Sequence, residues 1–221
     1  KNIIFSSSAT VYSITSPDSI KSGLKEDSIT WNTSNPYGTT KFLLENILND
    51  LSKFSWFNVI NLRYFNPIWA HPSWLIWENP DWLPNNLSPF IMKVASWELP
   101  YLSVFWDDYE TIDGSWVRDY IDVIDLIEGH LKAYELLENL DFDWFIDEFN
   151  LWVGKWVSVF QIIETARNVT LKDIPFKIAP RRAGDIWEFY CDPIKAKNIL
   201  DWESKTSIEE SLKNAWKFYN N

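Results

Sequence analysis

The sequence predicts an α/β protein, and three observations carry that prediction. Lys1 to Phe5 reads as a short buried strand, and Asn58 to Tyr64, with apolar Val59, Ile60 and Leu62, reads as another. Between them a helix opens at Asn35-Pro36. Polar clusters follow both strands, Ser6-Ser7-Ser8-Ala9-Thr10-Val11-Tyr12 after the first and Arg63-Tyr64-Phe65-Asn66-Pro67 after the second. The carboxyl ends of strands are where open α/β sheets bind ligands.

The helix between the strands organises the rest. Asn35 is a good N-cap, and Pro36 suits the first helical position, where a missing N–H costs nothing. Leu44, Ile47, Leu48 and Leu51 recur at helical spacing and predict a buried stripe. Tyr37 and Lys41, four residues apart, emerge on one face of the first turns. A cation about 4 Å from a phenol, at an effective dielectric near 20, is worth roughly 4 kcal/mol. That is enough to move Tyr37 from the ordinary tyrosine range toward neutrality, where a general base works best. Tyr-x-x-x-Lys alone is a weak signal, equally satisfied by a surface Tyr beside a solvated Lys.

Beyond the second strand, residues 69–86 form a long polar loop, a length that compact domains usually reserve for function. Asn85-Asn86-Leu87 opens a helix carrying Phe90, Ile91, Val94 and Ala95, and its start offers free N–H groups to an anion. Leu102-Ser103-Val104-Phe105 reads as a short strand. Asp113-Gly114-Ser115-Trp116-Val117-Arg118-Asp119-Tyr120 follows, with Asp122 placed to cap a helix whose inner face holds Ile127, Leu131 and Tyr134. Residues 141–157 hold a strand and a glycine-type turn, and Ser158 caps a helix with Phe160, Ile163 and Ala166. After Ala179-Pro180-Arg181-Arg182-Ala183-Gly184-Asp185, Asp192-Pro193 starts a further helix. Ser207 with Glu210 makes a capping box for the last, whose face carries Ile208, Leu212, Ala215 and Tyr219.

Composition narrows the function. A 221-residue chain of 46% hydrophobic residues has enough apolar side chains for a real core. A net charge of −11 and a pI near 4.6 argue against nucleic acid or an acidic membrane as partner. The single cysteine, Cys191, excludes an internal disulfide and fits the reducing cytoplasm. No leader-like segment or apolar run of membrane-spanning length is expected. His71 suggests a metal only weakly, because no other ligand stands at the right spacing.

The Ser-rich turn, the Tyr-x-x-x-Lys about thirty residues on, and the wording Asn-Pro-Tyr-Gly together resemble the short-chain dehydrogenase/reductase superfamily. They resemble most its extended, nucleotide-sugar branch and, within it, the UDP-glucose 4-epimerase family. The resemblance runs from Lys1 to Asn221 and covers roughly the last two-thirds of such an enzyme. It implies a partial doubly wound, Rossmann-like parallel sheet plus a smaller C-terminal α/β substrate lobe. Residues 1–68 would belong to the NAD-binding domain and 69–221 mainly to the UDP-sugar lobe, with later segments interleaving. It implies an NAD-dependent isomerase that interconverts UDP-glucose and UDP-galactose, a homodimer in the full-length parent. Catalysis falls to Tyr37, Lys41 and Ser8, and the cofactor to Ser6, Ser7, Tyr37, Lys41, Tyr64 and Phe65. The substrate falls to Ser8, Asn66, Asn86, Leu87, Ser103, Phe105, Arg118, Arg182, Asp185 and Phe189. From sequence alone Phe105 reads equally well as a core residue on a strand, and Phe189 as a core residue that gates nothing. If Phe189 does line the pocket, its ring excludes N-acetylated sugars. A 4,6-dehydratase needs an Asp and a Glu after the active-site Thr, where this chain holds Ala9 and Thr10. A decarboxylase or reductase of the same branch, or an inactive binding module, remains open.

Two features depart from that pattern. A dinucleotide-binding fold opens with strand, glycine-rich turn and helix, and no G-x-G-x-x-G occurs here. The chain therefore reads as lacking the first half of its cofactor domain, and by itself is expected not to hold NAD tightly. It also has 15 Trp and only 6 Gly, where average usage would give about 15 Gly. Trp69, Trp74, Trp77, Trp82, Trp97, Trp106, Trp116, Trp152 and Trp156 sit at positions where the epimerase pattern has glycine. Trp31, Trp144 and Trp187 are further candidates, whereas Trp56, Trp202 and Trp216 read as native. The expectation is a translation artefact, UGA codons for glycine read as tryptophan; the rival is an aromatic surface for carbohydrate or a partner.

Overall fold

The computed structural model describes residues 1–13, 23–84, 86–140, 144–181 and 189–220. In chain order the elements are β1 (Asn2–Ser6), a 3₁₀ turn (Ala9–Val11), α1 (Pro36–Ser55), β2 (Asn58–Arg63) and β3 (Asn66–Ile68). Then follow α2 (Leu87–Ala95), β4 (Leu102–Phe105), β5 (Val117–Arg118), β6 (Tyr120–Asp122), α3 (Val123–Glu138) and β7 (Phe145–Asn150). The last are β8 (Val157–Ser158), α4 (Val159–Thr170), β9 (Phe176–Ala179), α5 (Ile194–Leu200) and α6 (Ile208–Tyr219). The α/β class is as the sequence predicts, and the predicted N-terminal strands match β1 and β2 to within a residue.

The chain forms two compact units. The first comprises residues 1–65, 125–154 and 190–204. Its sheet has the order β1-β2-β7, all parallel, with Ile3 opposite Val59 and Ile60 opposite Asp147. β2 is central and buried at every position, the condition under which parallel strands become apolar. Here, however, Asn58, Asn61 and Arg63 share the strand with Val59, Ile60 and Leu62. Helix α3 lies close to the residue after β7: a Cβ added at Gly129 would stand 2.7 Å from Leu151 Cδ1, so any larger residue would have to displace that side chain.

The second unit comprises residues 66–124, 155–189 and 205–221. It contains three strand pairs, β3-β6 and β4-β9 parallel and β5-β8 antiparallel. Its core joins Ile91, Met92 and Val94 of α2, Leu102 and Val104 of β4, Ile162 and Ile163 of α4, and Leu212 and Trp216 of α6. The predicted caps form at the starts of α3, α4 and α6. Ser158 makes a full capping box with Gln161, Asp122 accepts from the Ile124 N–H at 2.8 Å, and Ser207 accepts from the Glu210 N–H.

Two expected faces are corrected. On α1 the buried residues are Gly38, Glu45 and Ser52, while Leu44, Ile47 and Leu51 are exposed. On α3, Ile127, Leu131 and Tyr134 are exposed and Leu126, Gly129, Ala133 and Leu137 are buried. Periodicity locates an apolar stripe but does not say which side of the helix meets this unit's sheet. On α1 the fully buried positions are small or polar, whereas on α3 they include Leu126 and Leu137.

Candidate active site

The geometry begins at the carboxyl end of β1. The chain turns sharply after Ser6 because the Ser7 N–H bonds both Phe5 O and Leu62 O. Ser8 then caps the 3₁₀ turn, its Oγ accepting from the Thr10 N–H at 3.2 Å and the Thr10 hydroxyl at 3.0 Å. Helix α1 starts beside this turn, with the Asn35 side chain accepting from the Gly38 N–H at 2.8 Å. Gly38 is what permits the approach. A Cβ there would meet the Thr10 carbonyl oxygen at 2.5 Å, so only a residue without a side chain lets the helix this close.

Tyr37, Lys41 and Ser8 therefore converge. Ser8 stands near enough to the Tyr37 phenol to lower its pKa, and Lys41 Nζ lies 5.6 Å from the centre of the Tyr37 ring. The ammonium donates to the Ser6 carbonyl at 2.8 Å and sits over the Phe5 ring. The expected fall in the Tyr37 pKa is corrected. Partial burial pushes this phenol above its ordinary value, Ser8 only partly offsets that, and neighbouring Tyr64 adds to it. Lys41 does not counter the rise because its ammonium is committed to Ser6, and burial pushes its own pKa down. Tyr37 is exposed.

Ser6 and Ser7 direct their hydroxyls inward, to His130 Nε2 at 2.9 Å and to Glu45 Oε1 at 2.5 Å. His130 meets Tyr64 edge to face, with ring centres 6.0 Å apart, while Phe65 stacks on Trp152 at 6.4 Å. Glu45 escapes the sequence reading, as does its pairing with Arg63 of the Arg63-Tyr64-Phe65-Asn66-Pro67 motif; both are buried, with Arg63 Nη2 2.7 Å from Glu45 Oε2. A signal existed, since Glu45 continues the four-residue series Tyr37, Lys41.

The remaining candidates stand in the second unit. Asn66 on β3 donates to the Asp119 carbonyl at 3.1 Å, which ties the two strand ends together. Asn86 precedes α2 and donates to Glu78 at 2.8 Å, leaving the Leu87 end of the helix without a side-chain cap. Arg118 is buried, bonds the Val117 carbonyl at 2.9 Å and lies over the Trp116 ring. Ser103 and Phe105 are half-buried on β4, and Phe189 is buried. Arg182 and Asp185 lie outside the described residues. His71 pairs with Ser73 at 2.7 Å. Among the described residues no helix is long and apolar enough to cross a membrane.

A family model described as GDP-mannose 4,6 dehydratase matches residues 1–215. The chain belongs to this family. Within it, curated relatives at 41–45% identity are UDP-glucose 4-epimerases. That of Bacillus subtilis is 45% identical over 99% of this chain and 62% of its own length. That of Pasteurella multocida is 45% identical over 97% of this chain and 62% of its own. The Stenotrophomonas maltophila UDP-glucose-4-epimerase, solved with NAD and formylated UDP-arabinopyranose, superposes with a TM-score of 0.89 at 37% identity. It matches 100% of this chain and 63% of that one. The Bifidobacterium longum UDP-glucose 4-epimerase, solved with NAD+ and UDP, gives 0.89 at 38% identity over 100% and 64%. This chain thus spans a little under two-thirds of the length of these family members. The family's description names a dehydratase, but Ala9 and Thr10 carry no carboxyl group to eliminate water.

Proposed function

We propose that this chain supplies the general base and the sugar-nucleotide lobe of an NAD-dependent UDP-glucose 4-epimerase. Such an enzyme interconverts UDP-glucose and UDP-galactose by transient oxidation at the sugar C4. The observation that carries the reading is the convergence of Tyr37, Ser8 and Lys41 at the carboxyl end of β1. Tyr37 takes the proton of the 4-hydroxyl and returns it. Ser8, beside that phenol, holds the same hydroxyl in line, and Lys41 fixes the strand end against the helix face.

NAD, when bound, accepts the C4 hydride and gives it back. The residues present fit one end of it. Lys41 and Tyr37, with Tyr64 and Phe65 at the end of β2, suit the nicotinamide ribose. Ser6 and Ser7 point their hydroxyls at His130 and Glu45, so their backbone is the part we assign to the cofactor. The six glycines of the chain form no G-x-G-x-x-G, so the pyrophosphate falls to residues that this chain does not supply.

We assign the first unit to the cofactor side and the second to the UDP sugar. Arg118 and Asn66 are its phosphate and strand-end anchors, Asn86 and the Leu87 N–H lie at a helix start suited to an anion, and Ser103 and Phe105 flank the base. Arg182 and Asp185 are carried here by the sequence resemblance. The exposed apolar face of α1, with Leu43, Ile47 and Phe54, supports a homodimer, and the single cysteine supports a cytoplasmic enzyme. The test is direct: incubate the complete protein with NAD and UDP-galactose and follow UDP-glucose by NMR. Equilibration of the two is expected, and no conversion by folded, NAD-loaded protein would overturn the reading.

A further inference from the structure

We propose that Glu45 is the positioning residue of the site, holding the Tyr37–Lys41 face of α1 in register with Ser8. This rests on the epimerase reading above. Tyr37, Lys41 and Glu45 succeed one another at four-residue intervals, so they line one face of the helix. The fully buried residues of α1 are Gly38, Glu45 and Ser52, none of them a large hydrophobic; Leu43, Leu44, Ile47, Leu51 and Phe54 are exposed, and Phe42 and Leu48 are half-buried. The buried polar link from this face is made by charge. Both oxygens of Glu45 take the Arg63 guanidinium as a fork, Nε at 2.9 Å and Nη2 at 2.7 Å. The Ser7 hydroxyl donates to the same carboxylate at 2.5 Å.

The carboxylate thereby joins α1 to the ends of both β1 and β2. Arg63 is itself locked: its Nη1 donates to the Glu26 carbonyl at 2.9 Å and the Tyr12 hydroxyl at 3.2 Å, and Tyr12 donates to Asn150 at 2.7 Å. Asn150 continues the network: its side-chain amide donates to the Leu24 carbonyl at 3.0 Å and its backbone N–H donates to the Glu26 carboxylate at 2.8 Å. Glu45 and Arg63 are each less than 5% exposed, so the pair cannot be exchanged for water contacts. Ser7 is the direct neighbour of Ser8, so a displacement of the carboxylate moves Ser8 and Tyr37 relative to each other. A misplacement of about 1 Å can cost on the order of 10²-fold in rate.

The test is Glu45→Gln in the complete enzyme, with the unmutated parent assayed first. Expected are a kcat loss of roughly 10- to 100-fold, a KM for UDP-galactose within about threefold, and an acidic limb of the kcat profile displaced to higher pH. The displacement follows because the influence of Ser8 that lowers the Tyr37 pKa is weakened. A purely structural role would lower the melting temperature and leave the pH limb in place, and that outcome overturns the proposal. Should Glu45→Gln not fold, Glu45→Gln/Arg63→Gln removes both buried charges. Restored parental kcat and pH limb in that double variant would equally overturn it. An inactive parent would refute the epimerase reading alone. Ultraviolet titration of tyrosine, differenced against Tyr37→Phe, then still reads whether Glu45→Gln moves the Tyr37 ionisation.

A separate observation carries a second inference. We infer that Trp56, Trp74, Trp97 and Trp106 stand where the working protein has glycine. Their φ values are 57°, 63°, 68° and 67°, in the left-handed region. This corrects Trp56, which the sequence alone makes native: it is the left-handed C-cap of α1, the residue type's least suitable place. Trp202 and Trp216 are buried, as native residues should be, and Trp202 donates its indole N–H to the Asp125 carbonyl. By contrast Trp106 and Trp116 bury indole N–H groups with no acceptor among the described residues. All nine glycine-like tryptophans lie outside helices and strands.

The gene decides it. UGA at these four codons, with UGG at 202 and 216, is expected, and UGG at all of them overturns the inference. In protein, Trp56→Gly and Trp97→Gly should each raise the folding equilibrium constant roughly 5- to 30-fold, the cost of a left-handed L-residue. Unchanged or lower stability in both would overturn it equally.

Discussion

In the first unit the candidate site is fixed by buried charge, with Glu45 and Arg63 beneath the turn and a helix on which Leu43, Leu44, Ile47, Leu51 and Phe54 are exposed. In the second unit the candidates stand on turns and two-to-four-residue strands around an ordinary apolar core of Ile91, Met92, Ile162 and Leu212. Eight of the nine glycine-like tryptophans belong to that second unit, and only Trp152 to the first. The contrast teaches where precision is placed. A proton transfer needs atoms held to within tenths of an ångström, and a satisfied polar network does that better than interchangeable apolar contacts. Gripping a flexible, highly charged ligand needs only donors of the right kind on loops, and loops need glycine.

The largest expected effect tests the first half of that contrast. Tyr37→Phe keeps the ring and removes the proton-carrying oxygen, so kcat should fall by about 10²–10⁴, while UDP binding stays unchanged. Steady-state kinetics with a parallel UDP titration check both. Turnover within about tenfold of the parent would remove Tyr37 as the base.

How far this was legible in the sequence follows from the same contrast. The strands, the caps at Asn35, Asp122 and Ser158, and the Ser–Tyr–Lys constellation announced themselves, because each is a local pattern with a local physical cause. The orientation of α1 did not. Leu44, Ile47 and Leu51 look like a core stripe until the sheet is seen to meet Gly38 and Glu45 instead. The partner of Glu45 is likewise eighteen residues distant, at the end of β2, and no spacing rule links them. The direction of the Tyr37 shift was misjudged because the Lys41 ammonium has a nearer acceptor in the Ser6 carbonyl.

The next effect belongs to the second unit. Arg118→Ala should weaken UDP affinity by roughly 1.5–3 kcal/mol, the range for a hydrogen bond to a charged group, with a smaller change in kcat. Calorimetry with UDP reads it. Loss of kcat at unchanged UDP affinity would mean that the two units do not divide the work as proposed.

A third test returns to the close approach that lets α1 reach the Ser8 turn. Gly38→Ala places a methyl where the Thr10 carbonyl oxygen would be 2.5 Å away, so helix or turn must move. A cost of about 1–3 kcal/mol in stability is expected, typical of overpacking, together with reduced kcat. Urea denaturation beside the kinetic assay measures both, and a stable, fully active variant would show that the turn yields freely.

The smallest effect sharpens the picture of the buried network itself. Glu148 on β7 is not one of its hydrogen-bonded charge pairs; its nearest donor is Asn61, at 3.4 Å. Burial pushes its carboxyl above the ordinary glutamate value, Arg63 only partly offsets this, and Glu45 and Asp147 add to the rise. A carboxyl whose folded pKa is raised stabilises the fold while protonated, and that contribution is lost as pH rises through the folded pKa. Stability from this group is therefore complete below the ordinary glutamate range and diminishes above it. Glu148→Gln keeps the shape and abolishes the ionisation. The variant should match the parent in acid and exceed it at neutral and higher pH, with the difference opening as pH increases. Urea midpoints at a series of pH values check this. A difference that is constant with pH would mean that Glu148 is ionised at no cost, and that the charge beneath the site is balanced by more than Glu45 and Arg63.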